Sequence, residues 1–175
     1  MTDNIVLIGF MGVGKGRTAR ALAAATGRFA VDTDDLIESF LKAKIRTIFA
    51  KQGEPVFRQV EQQVANWLEH RVSGTVISTG GGFFMVNNLE RLGQIVYLHS
   101  SLKGILATIK QHPNGARKIK KRPLLRDMDK AKELYKTRLP LYREAATWEI
   151  DVEGRETGEV VAEIKALLSR QGIAL

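Results

Sequence analysis

Hydrophobic positions in this chain follow two patterns. Short unbroken apolar runs recur at Ile5-Val6-Leu7-Ile8, Arg28-Phe29-Ala30-Val31, Thr75-Val76-Ile77-Ser78, Gln94-Ile95-Val96-Tyr97-Leu98 and Thr147-Trp148-Glu149-Ile150-Asp151-Val152. Runs of this length read as strands buried on both faces. Between them lie longer segments with helical spacing. Thr18 to Thr26 is closed by Gly27, and Leu36 to Leu41 follows the second run. Thr47-Ile48-Phe49 begins a short helix that Gly53-Glu54-Pro55 interrupts. Val56 to His70 is amphipathic, with Val60, Val64, Trp67 and Leu68 on one face. Asn87 to Leu92, Ser101 to Gln111, Asp129 to Arg143 and Thr157 to Gln171 complete the helices. Pro140 predicts a kink or break in the third of these. Trp67 and Trp148 are expected in the core. Alternating strands and helices predict an α/β fold, a five-stranded parallel sheet with helices on both faces in three layers. Ligands on such sheets sit at the carboxyl ends of the strands.

Composition narrows the class. The 175 residues form one domain, 1–175, with no repeat or linker. The chain has no Cys, which excludes disulfides, thiolate metal sites and cysteine nucleophiles. No apolar run reaches membrane-spanning length, and the N-terminus enters a strand directly, so a cytoplasmic protein is expected. A net charge of +8 calls for anionic partners. Many of the basic residues crowd into 110–126, including Lys110, Arg117, Lys118, Lys120, Lys121, Arg122 and Arg126. That stretch has no clear periodicity and reads as a mobile segment. No aromatic platform for single strands accompanies it. Anionic small ligands explain the excess as well as nucleic acid does, and the phosphate loop at 9–15 favours them.

The chemistry begins after the first strand. Gly9-Phe10-Met11-Gly12-Val13-Gly14-Lys15 has the spacing of a phosphate loop in its proper setting, strand before and helix after. Such a loop turns backbone N–H groups toward anionic oxygens, aided by the helix dipole. Gly12, Val13, Gly14, Lys15, Gly16 and Arg17 are thus candidate nucleotide-binding residues, with Lys15 on the β- and γ-phosphates. The usual Ser or Thr after the Lys, a Mg²⁺ ligand, is replaced by Gly16. Thr18 lies two positions on, about 200° round the helix, and cannot take over.

Two more strand ends carry candidates. Asp32 and Asp34 could hold Mg²⁺ through water and orient, or deprotonate, an attacking hydroxyl, or they could simply cap the next helix. Ser78 and Thr79 precede Gly80-Gly81-Gly82, where a ligand could approach the backbone closely. Ser78 could bind a metal water. Arg58, Arg138 and Arg143 are solvated charges or forks for a carboxylate or phosphate. Arg122, beside Pro123, suits a segment that closes over a site. His70, His99 and His112 have no metal-ligand spacing and read as surface or capping residues.

Taken together, these motifs resemble shikimate kinase. They are Gly-Phe-Met-Gly-Val-Gly-Lys at 9–15, Asp-Thr-Asp at 32–34, Gly-Glu-Pro-Val-Phe-Arg at 53–58 with Glu61, Ser-Thr-Gly-Gly-Gly at 78–82, Arg-Pro-Leu-Leu at 122–125 and Arg-Leu-Pro-Leu-Tyr at 138–142. The resemblance implies a P-loop kinase of the nucleoside-monophosphate-kinase type, with a lid at about 112–126. It implies transfer of phosphate from ATP, with Mg²⁺, to the 3-hydroxyl of shikimate on the way to chorismate and the aromatic amino acids. It also implies a monomer. Asp34, Arg58, Gly80, Gly81, Gly82 and Arg138 would surround shikimate, with Asp34 as base. Lys15 and the lid residue Arg122 would act on the phosphates, and Arg155 would stack on adenine. Asp32, with Ser78 nearby, would hold the water shell of Mg²⁺. Gly16 and Arg17 stand where the family has two hydroxyl residues, which predicts weaker metal or ATP binding and a slower enzyme. His112 to Lys121 is more basic than the family pattern.

Three other readings compete. A gluconate-type kinase has less use for the Arg58 and Arg138 pair. A silent nucleotide-binding regulator has less use for Lys15, Asp34, Arg58, Arg122 and Arg138 together. A nucleic-acid binder would use the basic segment and show steep salt dependence.

Overall fold

The computed structural model describes residues 3–115 and 123–173. Five parallel strands, β1 (Ile5–Ile8), β2 (Phe29–Asp32), β3 (Thr75–Ser78), β4 (Gln94–His99) and β5 (Trp148–Asp151), form one sheet in the order β2-β3-β1-β4-β5. The central strands β1 and β3 are fully buried, as their unbroken apolar runs require. Among the described residues six α-helices accompany the sheet: α1 (Lys15–Thr26), α2 (Thr33–Leu41), α3 (Ile45–Arg71), α4 (Leu102–Gln111), α5 (Met128–Ala145) and α6 (Thr157–Arg170). The main core packs both sheet faces, from Leu22 and Leu68 to Ile105, Tyr142 and Ile164. A smaller cluster of Ile37, Ile48, Phe57 and Val60 joins α2 to α3. No helix among the described residues is long and apolar enough to cross a membrane.

The chain leaves β1 for β2, returns to β3 between them, then crosses to β4 on the other side of β1. This reversal leaves a crevice over the carboxyl ends of β1 and β3, where a doubly wound sheet takes its ligand. The loops after β1, β2 and β3 all open there.

Local chemistry sets the helix ends. Ser101 Oγ caps α4 through the Gly104 N–H at 3.0 Å, and Asp127 caps α5 through Lys130 N–H. Glu156 and Glu159 form a reciprocal capping box at the start of α6. α3 bends at Gly53, whose φ of 82° and ψ of 170° are not helical. Pro55 falls in the first turn of the second segment, where its missing N–H is not needed.

Three expectations need correction. Pro140 does not break α5, which runs unbroken through it. Ala131, Tyr135, Leu139 and Tyr142 anchor both halves to the core, and that packing outweighs one lost backbone bond. Trp67 is 45% exposed rather than buried. The buried stripe of α3 passes through Ala65 and Leu68, which leaves Trp67 at its edge. The helix expected over 87–92 is a single 3₁₀ turn, Leu89–Arg91, preceded by another at Phe83–Met85. Of the segment read as mobile, residues 123–126 form a 3₁₀ turn with Leu125 buried. Arg117, Lys118, Lys120, Lys121 and Arg122 lie outside the described residues.

Candidate active site

Loop geometry follows from its glycines. Gly14 ends the loop at φ 109°, a left-handed conformation costly for other residues, and α1 starts at Lys15. Gly12, at φ 86°, lies against α4, where an added Cβ would come within 2.8 Å of Ile109 Cδ1. No side chain caps α1, and its first turn has no acidic residue. Its first N–H groups and positive dipole end therefore suit an anion. Lys15 is buried, and its ammonium donates to the Gly9 carbonyl at 2.7 Å and the Phe10 carbonyl at 3.0 Å. Val13 is buried in the core beneath the loop.

Sheet register places the second group. Asp32 at the end of β2 pairs with Ser78 at the end of β3. Ser78 Oγ donates to Asp32 Oδ2 at 2.7 Å. The other Asp32 oxygen accepts the Asp34 N–H at 3.0 Å and the Asp35 N–H at 3.4 Å, so Asp32 caps α2 as well. Gly16 faces this pair. A Cβ there would lie 3.5 Å from Asp32 Oδ2 and 3.7 Å from Ser78 Oγ. One carboxylate and one hydroxyl beside a phosphate loop fit Mg²⁺, a hard ion that keeps several waters and takes phosphate oxygens. Among the described residues no cluster of three or more His, Cys, Asp or Glu offers a protein-only cage. Thr79, the other hydroxyl at this strand end, donates to the Leu7 carbonyl at 2.9 Å, the structural role its position also allowed.

Asp34, two residues on, turns toward the glycine run. Its Oδ1 lies 2.6 Å from where a Gly80 Cβ would stand, with Glu61 Oε1 3.3 Å from the same point. Both oxygens are buried without a hydrogen-bond partner among the described residues. Burial, then the Asp32 charge, pushes the Asp34 carboxyl up to about 7, with Glu61 and Asp35 adding to the shift and Lys15 opposing it. Burial likewise raises Glu61, against the pull of Arg58.

Gly80-Gly81-Gly82 gathers the remaining groups. The Gly80 N–H donates to Thr33 Oγ1 at 3.1 Å. The Gly81 carbonyl accepts from Arg138 at 3.0 Å and from the Tyr142 hydroxyl at 2.5 Å, both on α5. The Arg58 guanidinium, held by Glu54 and Glu61, rests on Gly82 so closely that any Cβ there would overlap it. Two guanidinium groups thus reach one turn, from α3 and α5.

A cleft of about 330 Å³ brings much of this together. From the loop, Gly12, Gly14, Lys15, Gly16 and Arg17 line it. Asp32, Asp34, Ser78, Gly80 and Gly81 face them. Arg58 opens instead into an adjoining hollow with Glu54, Glu61 and Met85. Arg155 is not part of the cleft wall. It is paired with Glu163 and donates to the Asp151 carbonyl at 2.9 Å. Arg122 lies outside the described residues. Arg143, weighed as an anion fork, is taken by Glu149 in a two-pronged pair.

The cleft also has walls that sequence reasoning did not single out. Arg20 and the α4 residues Thr108 and Ile109 line it, and His112, read as capping, both ends α4 and faces the cleft. Arg20 follows Gly16 by one helical turn, the only trace of it in the sequence. Tyr142 carried a signal, as the last residue of Arg-Leu-Pro-Leu-Tyr.

The shikimate kinase family model matches residues 11–169. The chain belongs to the shikimate kinase family. A shikimate kinase of Helicobacter hepaticus is 40% identical over 151 residues, covering 85% of this chain and 86% of that protein. One from Pseudomonas syringae pv. tomato is 40% identical over 174 residues, covering 95% and 96%. Among solved structures, shikimate kinase from Acinetobacter baumannii in complex with shikimate has a TM-score of 0.76 at 34% identity, covering 96% of this chain and 93% of that one. Shikimate kinase from Bacteroides thetaiotaomicron reaches 0.82 at 25% identity, covering 95% and 98%. A gluconokinase from Sinorhizobium meliloti, at 15% identity and a TM-score of 0.55, shares the fold. Family membership makes the chain a kinase that uses ATP.

Proposed function

We propose that this protein transfers the γ-phosphoryl group of ATP to the 3-hydroxyl of shikimate, giving shikimate 3-phosphate and ADP. The observation that carries the reading is the turn at Gly80 to Gly82. It joins the Asp34 carboxylate, on the phosphate-loop side, to the guanidinium groups of Arg58 and Arg138 on the other. A ligand with hydroxyls at one end and a carboxylate at the other fits that order of charges.

The roles follow from position. The α1 N-terminus and the loop N–H groups receive the β- and γ-phosphates, and Lys15 adds a charge that favours the transferred group. Arg58 and Arg138 fork the substrate carboxylate. Asp34, with a pKa of about 7, accepts the proton of the attacking hydroxyl. That oxygen forms the new bond to the γ-phosphorus, and the bond to the β,γ-bridging oxygen breaks with its electron pair leaving on ADP. Asp32 and Ser78 would hold Mg²⁺ through water. Bound there, Mg²⁺ would supply positive charge that offsets the charge developing on the phosphates. From the family resemblance alone, Arg122 is assigned to the phosphates and Arg155 to the adenine. The protein acts as a monomer in the cytoplasm, in aromatic amino acid biosynthesis.

A coupled ADP-release assay tests this. ADP should form only when shikimate accompanies ATP and Mg²⁺, and gluconate should not replace it. Arg138→Met should raise KM for shikimate by about ten- to a hundredfold, the scale of a lost bond to a charged group, with a smaller change in KM for ATP. Turnover of gluconate in place of shikimate would discard the substrate assignment.

A further inference from the structure

Gly16 does more than remove a hydroxyl. Side chains on a helix lean toward its N-terminus, over the preceding turn. Arg20, one turn after Gly16, does so here. Its guanidinium comes within 3.4 Å of the place a Gly16 Cβ would fill, and Asp32 Oδ2 is 3.5 Å from the same point. A Cβ at position 16 would stand in van der Waals contact with that guanidinium, the far end of a flexible side chain. Arg17 behaves similarly, with one guanidinium nitrogen 3.7 Å from the Cβ position of Gly14. Both arginines line the cleft and are mostly exposed. Among the described residues neither forms an ion pair or a hydrogen bond.

We infer that Arg20, with Arg17, is a phosphate-binding residue that does part of the metal's electrostatic work, so that this chain binds metal-free nucleoside triphosphate about as well as the Mg²⁺ complex. The inference rests on the reading of residues 9–17 as a triphosphate site. Its physical basis is charge. Lys15, Arg17 and Arg20 put three cations around the loop, against the two carboxyl groups of Asp32 and Asp34 that face them. Metal-free ATP carries two more negative charges than its Mg²⁺ complex and gains more from the added cations. The place from which a loop hydroxyl would ligate Mg²⁺ is bordered here by a cation, which disfavours the ion and favours a bare phosphate oxygen.

Calorimetric titration of the protein with ATP, in EDTA and in excess Mg²⁺, reads this directly without turnover. The two Kd values should agree within about fivefold. Arg20→Met should weaken binding in EDTA by about tenfold or more, the scale of a lost charge-assisted bond, and change binding in Mg²⁺ by less than about threefold. Gly16→Ser, which restores the hydroxyl beside Asp32 and Ser78, should widen the preference for the Mg²⁺ complex. Thermal melting of each variant confirms that it is folded. The inference is overturned if the parent binds ATP more than about fivefold weaker in EDTA, or if folded Arg20→Met weakens both forms equally or neither. Failure to bind ATP under either condition would instead remove the triphosphate-site reading beneath it.

Discussion

At the scale of single residues, Asp34 is the most heavily perturbed group that faces the cleft. Its raised pKa has two consequences of opposite value. A base with a pKa near 7 is half available at neutral pH and still strong enough to take a proton, so kcat/KM should rise with pH through about 7 and level off above it. Asp34→Asn should cut kcat by about a hundredfold or more and abolish that rise. The same shift costs stability. A carboxyl whose folded pKa exceeds its unfolded value near 3.8 stabilises the folded state most below 3.8, and that contribution is lost as pH climbs to about 7. Asn cannot ionise, so the Tm of Asp34→Asn relative to the parent should increase between pH 4 and pH 7 and stay constant above. A variant that loses activity and shows no such crossing in its melting curves would contradict a buried, strained carboxylate. The acidic turn was legible as a candidate base or a helix cap. Asp32 proved to be both, because its two oxygens serve two masters: one holds the α2 N-terminus and the other meets Ser78.

At the scale of elements, the inner strands were readable because burial on both faces leaves no polar alternation to misread, although the edge strands β2 and β5 are only partly buried. Ile5–Ile8 and Thr75–Ser78 have the bounds the apolar runs predict, and β2 differs by one residue at each end. Helix faces were harder. Val60 and Trp67 share a side of α3 in sequence, yet only Val60 is covered by the cluster that includes Ile37 of α2. Periodicity gives the stripe and tertiary packing decides how far it extends. Arg20 acquires its place in the cleft only from the packing of elements, and an isolated helical charge offers no such hint. The glycine turn after β3 was visible as a place for close approach, and the structure supplies the reason at each position. Gly82→Ala should displace the Arg58 guanidinium, raising KM for shikimate by about tenfold or more while leaving ATP affinity within about threefold. Equal loss of ATP and shikimate binding would mean that the turn supports the whole cleft rather than one end of it.

At the scale of the whole molecule, sheet order is what makes a site of separate motifs. The loop after β1, the acidic turn after β2 and the glycines after β3 lie far apart in sequence and meet because β3 sits between β2 and β1. Parallel direction and strand count were legible from the alternation of elements, whereas neighbour order was not, since any permutation satisfies the same apolar runs. Part of the positive charge is gathered at this scale, with Lys15, Arg17 and Arg20 lining one crevice. The central claim is that this crevice joins a triphosphate to a hydroxylated carboxylic acid. Its most direct test is ³¹P NMR of the products after incubation with ATP, Mg²⁺ and shikimate. One new phosphomonoester resonance, coupled to a ring proton at carbon 3 and formed in step with ADP, is the predicted result. ADP with inorganic phosphate and no phosphoester, or a phosphoester at another hydroxyl, would contradict it.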